Sequence, residues 1–382
     1  MGQPAGAGAP TPRSGPAGQF MSPPGPEEAQ LLATGRSLAL AAEQAAALTP
    51  ADVRAAAERE IDEASALFDE FPATERNEIE ELEARLRALR DADPVEPSVE
   101  PSGLGRLFGR RSRKSNVDPS EERLRALSLG SMGKARAILF NAREGRGHAT
   151  SSALLRLAEA YGAELAEHRS MGGELDVHEG GEERARQLVQ SALRRFPAPW
   201  IAESNAFSIP VQIRHVNAGE RAAYRRRDDL PSMAAGRDIA AILVPDVREN
   251  RNPYDSGGPD RAAFHELGHR MQHANPTIGA LEHEHIRRRT TAPTGEREPL
   301  TPLPGKGESG WASNFADPYQ GRDYSRAYPD DTPTEILSVG MEALFGGAYG
   351  GFIGAGRYAP DDDSRFFILG LLAAHDGGAE AR

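Results

Sequence analysis

A chain of 382 residues without a cysteine forms no disulfide and no thiolate metal site, so any metal it binds must rest on His, Asp or Glu. A net charge of −12 gives no support to a nucleic-acid partner, and no apolar run approaches the ~20 residues that span a bilayer. Forty Gly and 29 Pro, gathered in tails and linkers, suit a protein with unstructured stretches around its folded parts.

Residues 1–26 are low-complexity and rich in Gly, Ala and Pro, which predicts a disordered tail, and Met1 to Phe20 hold no apolar h-region of a secretory signal. The expectation is a cytoplasmic protein, or one exported without a signal peptide. Residues 27–92 read as a small acidic helical module. Residues 27–100 hold 19 Asp and Glu against 7 Arg, the source of the net charge. An Ala-rich helix lies around Leu31–Leu48, Thr49 caps a second carrying Val53, Ile61, Leu67 and Phe68, and Pro72 ends it. Thr74 then caps a third, with Ile79, Leu82, Leu86 and Leu89 at 3-4-3 spacing. That spacing suits a helical hairpin or bundle, or a short coiled-coil seam, and its apolar face offers a dock for a protein partner.

Pro94, Pro97, Pro101 and Pro119 mark residues 93–119 as a linker, with a basic run at Arg106, Arg110, Arg111, Arg113 and Lys114. A folded domain is expected over 120–376. It has helices at Ser152–Glu167 and Glu182–Phe196 and strands at Ser208–Val216 and Asp238–Pro245. No GxGxxG or GxSxG motif competes for its function.

His265-Glu266-Leu267-Gly268-His269 follows the second strand. Pro259 and Asp260 suit a helix start and Asn275-Pro276 its end, while Ala262, Ala263, Phe264, Leu267 and Met271 supply an apolar side. Histidines four apart on a helix share a face, so both imidazoles can reach one Zn²⁺. Glu266 falls about 100° round the helix, within reach of water on the metal, as in the HExxH signature of zinc peptidases. His273, four beyond His269 on the same face, reads as a supporting or exposed residue, and His283 and His285, in an Arg-rich stretch, as surface residues.

A hydrolytic zinc site needs a third protein ligand. The segment from Thr332 to Phe345 is largely apolar, through Ile336, Leu337, Val339, Met341, Leu344 and Phe345, and carries Glu335 and Glu342, seven apart and hence on one face of a helix that Pro333 would open, where either could face zinc. The alternative for Glu335 is a capping box with Thr332. Glu335 sits at the edge of the apolar run, where a cleft can open, and Glu342 deeper, placed to hydrogen-bond a ligand histidine.

His265-Glu266-x-x-His269 with a later helix carrying Glu335-x-x-Ser338 resembles the gluzincins, the zincins with a glutamate as third ligand. The Glu-x-x-Ser piece is similar to thermolysin-type enzymes. Tyr328, seven residues before Glu335, is similar to the tyrosine of the lethal-factor group of toxin peptidases. The run Thr334–Gly340 is similar to zincin-like domains of prophage and toxin-type bacterial proteins. The resemblance covers about residues 200–350. It implies an α+β zincin-like catalytic domain, with a small sheet, the HExxH helix and a second ligand helix. It also implies Zn²⁺ on His265, His269 and Glu335, Glu266 as base, and Tyr328 as donor to the oxyanion, a role for which Tyr324 is the alternative. The expected activity is hydrolysis of a protein or peptide substrate. A non-catalytic zincin-like structural or effector module that binds proteins is the alternative.

Overall fold

The computed structural model describes residues 21–92, 135, 152–178, 182–216, 222–225, 239–245, 258–303, 308–311, 314–325, 332–355 and 358–377. In chain order the elements are helices α1 (Pro26–Ala46), α2 (Pro50–Asp69), α3 (Ala73–Ala92), α4 (Ser152–His168), α5 (Glu183–Leu193) and α6 (Ala198–Ala206), then strands β1 (Val211–His215), β2 (Ala223–Arg225) and β3 (Ala240–Val244). Helices α7 (Gly258–Ala274) and α8 (Pro276–Arg289) follow. After them come the two-residue strands β4 (Thr301–Pro302) and β5 (Ser309–Gly310), and helices α9 (Ile336–Gly346) and α10 (Asp362–Ala374). The fold is α+β, mostly helical around a small sheet. No helix among the described residues is long and apolar enough to cross a membrane. The basic run at 106–114 and the linker lie outside the described residues.

Local chemistry explains most boundaries. Thr49 and Asp52 close a reciprocal capping box at the start of α2, as the sequence predicts. Thr74 is not a cap: α3 begins at Ala73, with the Pro72 carbonyl accepting from Glu75 and Arg76. Asn275-Pro276 ends α7 and at once opens α8, Pro276 in its first turn and Asn275 Oδ1 accepting from Thr277 N at 3.2 Å. The last 11-residue helix before α10 starts at Ile336, three residues later than Pro333 would have it, with Glu335 at its N-cap.

In the sheet β3 is central, parallel to β1 from Val211↔Ala240 to His215↔Val244, and antiparallel to β2 from Ala223↔Leu243 to Arg225↔Ala241. On the outer edge of β1, Val177 bridges Val211, His178 N donates to Val211 O at 2.8 Å, and Glu182 N donates to Ile213 O at 2.9 Å. One core joins the sheet to α1 and to the helices from α4 onward. Ala263, Leu267 and Met271, each fully buried and four apart, turn one face of α7 into that core.

Helix α1 buries Leu31, Leu38, Ala39 and Ala42 and lies backbone to backbone on α10. A Cβ on Gly35 would stand 1.8 Å from Phe366 O, and one on Gly370 1.9 Å from Leu31 O. Residues 21–25, expected in the disordered tail, run along α8: Ser22 N donates to Arg288 O at 3.0 Å and Ser22 Oγ to Thr291 O at 2.7 Å.

The expectation for His285 is overturned. It is fully buried, its ring stacked on Phe367 at 4.1 Å, and its Nδ1 meets Glu28 Oε1 at 2.7 Å. The neighbouring arginines are buried as well. Arg288 pairs with Glu28 at 2.8 Å and with Asp363, and Arg289 with Asp361 at 2.8 Å. Helix α8 is enclosed by α1 and α10, whose acids neutralise its basic end. Burial, with Arg289 and Arg288 alongside, pushes the His285 imidazole well below its ordinary value.

Candidate metal centre

Helices α7 and α9 cross where Gly268 faces Ser338. The crossing brings His265, His269 and Glu335 together. His265 Nε2 and His269 Nε2 are 3.2 Å apart, and each lies 3.3 Å from Glu335 Oε2. Glu335 is 1% exposed, and the two imidazoles are 15% and 14% exposed.

Both histidines are oriented from behind. His265 Nδ1 pairs with Glu342 Oε1, and Glu342 Oε2 accepts from Arg261 Nε. Arg261 in turn donates to Tyr349 Oη at 3.0 Å. Tyr349 opens a left-handed turn in which Gly350, Gly351 and Phe352 also take positive φ. His269 Nδ1 lies 3.1 Å from Gln272 Oε1. The Gln272 amide orientation follows from its other contacts, since Nε2 faces both oxygens of Glu282 (3.0 and 2.8 Å) and the Thr334 carbonyl and hydroxyl (3.2 Å each). Acceptors therefore stand at both Nδ1 atoms; in the neutral imidazoles they hold the proton there, leaving two Nε2 lone pairs and a carboxylate oxygen aimed at one point.

That triangle fits a metal. Ligands about 2.0–2.1 Å from a tetrahedral ion are separated by about 3.3 Å. Two lone pairs and an anionic oxygen at such distances repel unless a cation or a proton lies between them. His265, His269 and Glu335 could hold such a cation; Glu266 lies with both histidines inside 4.8 Å and is 3% exposed. The shorter distances single out Glu335 as the carboxylate facing the common point.

Charge at the site follows burial and pairing. Burial acts to lower the His265 imidazole, but Glu342, Glu266 and Glu335 outweigh it and raise it to about 9; Glu335 does the same for His269. Burial opposes the charge on Glu335, yet His269, His265 and a hydrogen bond from Tyr324 hold its carboxyl well below the carboxylate range. Glu266 is raised, burial outweighing the two histidines. Glu282, fully buried, is pushed up to about 7 by burial against its hydrogen bonds from Gln272, Thr334 and Leu337.

Of the sequence candidates, His265, Glu266, His269, Glu335 and Glu342 converge. Tyr328 lies outside the described residues. Tyr324 is at the site: its Oη donates to Glu335 Oε1, while Ser338 Oγ donates to Oε2 at 2.9 Å. Those partners, and the N-cap placement of Glu335, replace the capping box with Thr332. His273 reaches the Tyr224 hydroxyl of β2 at 2.7 Å, and exposed His283 the Thr332 carbonyl at 2.8 Å. Sequence reasoning missed Arg261, Gln272 and Glu282. The first two had a signal, four residues before His265 and three after His269 on the same helix. Comparison with family models, curated proteins and solved structures gives no match for this chain.

Proposed function

We propose that this protein is a zinc-dependent peptidase of the gluzincin kind, with His265, His269 and Glu335 holding the ion. The observation that carries the reading is the near-equilateral triangle of His265 Nε2, His269 Nε2 and Glu335 Oε2, with edges of 3.2–3.3 Å and Glu266 alongside. A structural zinc site closes its coordination with protein ligands, whereas three ligands with a carboxylate beside them and an open side suit hydrolysis.

When bound, zinc supplies a Lewis acid that polarises a carbonyl and lowers the pKa of water toward ~7. Glu266 takes the proton from the attacking water and delivers it to the leaving amine nitrogen. Tyr324 keeps its proton, because burial and the adjacent Glu335 raise its pKa far above the ordinary phenol range. Its one hydroxyl proton, given to Glu335 Oε1 in this structure, would turn from that carboxylate to the carbonyl oxygen as negative charge develops. Strand β2, bound to β3 on one side only among the described residues, offers a backbone edge beside α7 on which an extended peptide can pair.

The test is metal content of the purified full chain, followed by digestion of a mixed peptide library with and without chelator. Stoichiometric zinc with chelator-sensitive cleavage is expected. Zinc without cleavage favours the protein-binding module, and no metal uptake defeats the reading.

A further inference from the structure

Glu282 is a carboxylate with no exposure to solvent, and the chemistry above does not use it. It projects from α8, which carries none of the residues assigned to the metal. Its hydrogen-bond partners are neutral and lie on α7, in the first turn of α9, and at the residue just before Glu335. Oε1 accepts from Leu337 N at 2.7 Å, in the first turn of α9. Oε2 accepts from Thr334 Oγ1 at 2.9 Å. Both oxygens accept from Gln272 Nε2 on α7. Glu335 is thus bracketed by two residues that Glu282 grips, and the Gln272 amide is turned so that only its oxygen is left for His269.

We propose that Glu282 is a positioning residue that locks α7 and α9 in register, so that His269 and Glu335 meet at one point without Glu282 touching either. The assignment rests on the metal reading above. A carboxylate suits this place because it is acceptor-only, with about four lone-pair sites for the four contacts observed. The positive end of α9 faces it and offsets part of the cost of its burial. A glutamine would turn an NH₂ group toward Leu337 N–H, Thr334 or Gln272 Nε2, and one donor would lose its acceptor. Retaining a costly buried carboxylate between two functional helices is understandable where it fixes their registry.

The full chain, stripped with chelator and reloaded with Co²⁺, reports ligand geometry through its visible absorption and affinity through competition with a chelator. Glu282→Gln is expected to weaken and shift the bands of a tetrahedral site and to lower Co²⁺ affinity ~10- to 100-fold, the range for groups that orient metal ligands. A residue that merely supports the fold would lower the melting temperature of the metal-free protein and leave spectrum and affinity alone. A wild-type spectrum and affinity in Glu282→Gln therefore overturns the assignment, whatever its melting temperature. Should that variant not fold, Thr334→Val removes one donor at constant volume. A smaller fall in affinity with the same spectral shift is then expected, and wild-type values overturn the assignment. Wild-type protein that takes up no cobalt overturns the metal reading, and this assignment with it.

Discussion

The Cβ that Gly268 lacks would lie 2.8 Å from Ser338 Cα and 3.0 Å from Ser338 N. Ser338 holds Glu335 Oε2, so the glycine inside the histidine motif sets how closely the carboxylate helix approaches. The obstacle is backbone and cannot swing aside. Gly268→Ala should therefore separate α7 from α9, costing roughly 1–3 kcal/mol of stability and weakening metal uptake. Urea unfolding and chelator competition measure the two effects; a variant indistinguishable from wild type in both would show that the helices do not pack this closely.

Glu266→Gln should keep the metal and lose peptide hydrolysis, by at least the ~10²–10⁴-fold that a general base contributes. Peptide turnover near the wild-type level in the zinc-loaded variant would remove Glu266 from the mechanism.

Glu335 and Glu342 should separate in a titration with a competing chelator. Glu335 faces both Nε2 atoms, so Glu335→Ala should weaken zinc binding severely. Glu342 orients His265 from behind, so Glu342→Ala should cost ~10- to 100-fold. The opposite ranking would transfer the ligand role to Glu342.

In chelated protein the folded-state pKa values of His265 (about 9), His269, Glu266 and Glu282 (about 7) are all raised. A raised group contributes stability that is fully present below its unfolded value and lost as pH rises through its folded value. Glu335 and Glu342 are lowered and act only at acid pH. The urea midpoint should therefore fall between about pH 6.5 and pH 9. The fall should be smaller in His265→Asn. A midpoint that rises over this window contradicts the arrangement of charges at the site.

Glu28→Ala should leave Arg288 and His285 without their shared acceptor in the interior, at a cost on the order of 3 kcal/mol. Thermal unfolding of the variant tests it; no loss of stability would mean that α1 is not docked through this contact.

The histidine helix was legible because its signals are local. The HExxH spacing, Asp260 and Asn275-Pro276 all act within one helix, and Glu335 stood out as a carboxylate bordering an apolar run. What escaped depends on partners far away in the chain. The Arg-rich stretch around His283-Glu284-His285 looks like a solvated face, and only Glu28, Asp361 and Asp363 draw His285, Arg288 and Arg289 inside while Arg287 stays exposed. Tyr328 drew attention by its spacing from Glu335, whereas Tyr324 reaches that carboxylate because the chain folds back after the short turn at Pro318–Gly321. Strand β2, three residues long, has too few positions for alternation to show.

The reciprocal glycine contact between α1 and α10 ties Leu31 to Gly370, so the chain must close a loop of more than 300 residues before either helix is fully buried. During synthesis α1 emerges long before α10, and although α4 is made early enough to pack on it, the face that meets α10 stays uncovered while the histidine and glutamate helices are made. Closure over such a separation is slow and late. Consolidation of the core around α9, and with it of the Glu335 side of the site, thus falls at the end of translation rather than along the way. A chain cut short before α10 should accordingly present its histidines in a loose core, exposed to chaperones and proteases.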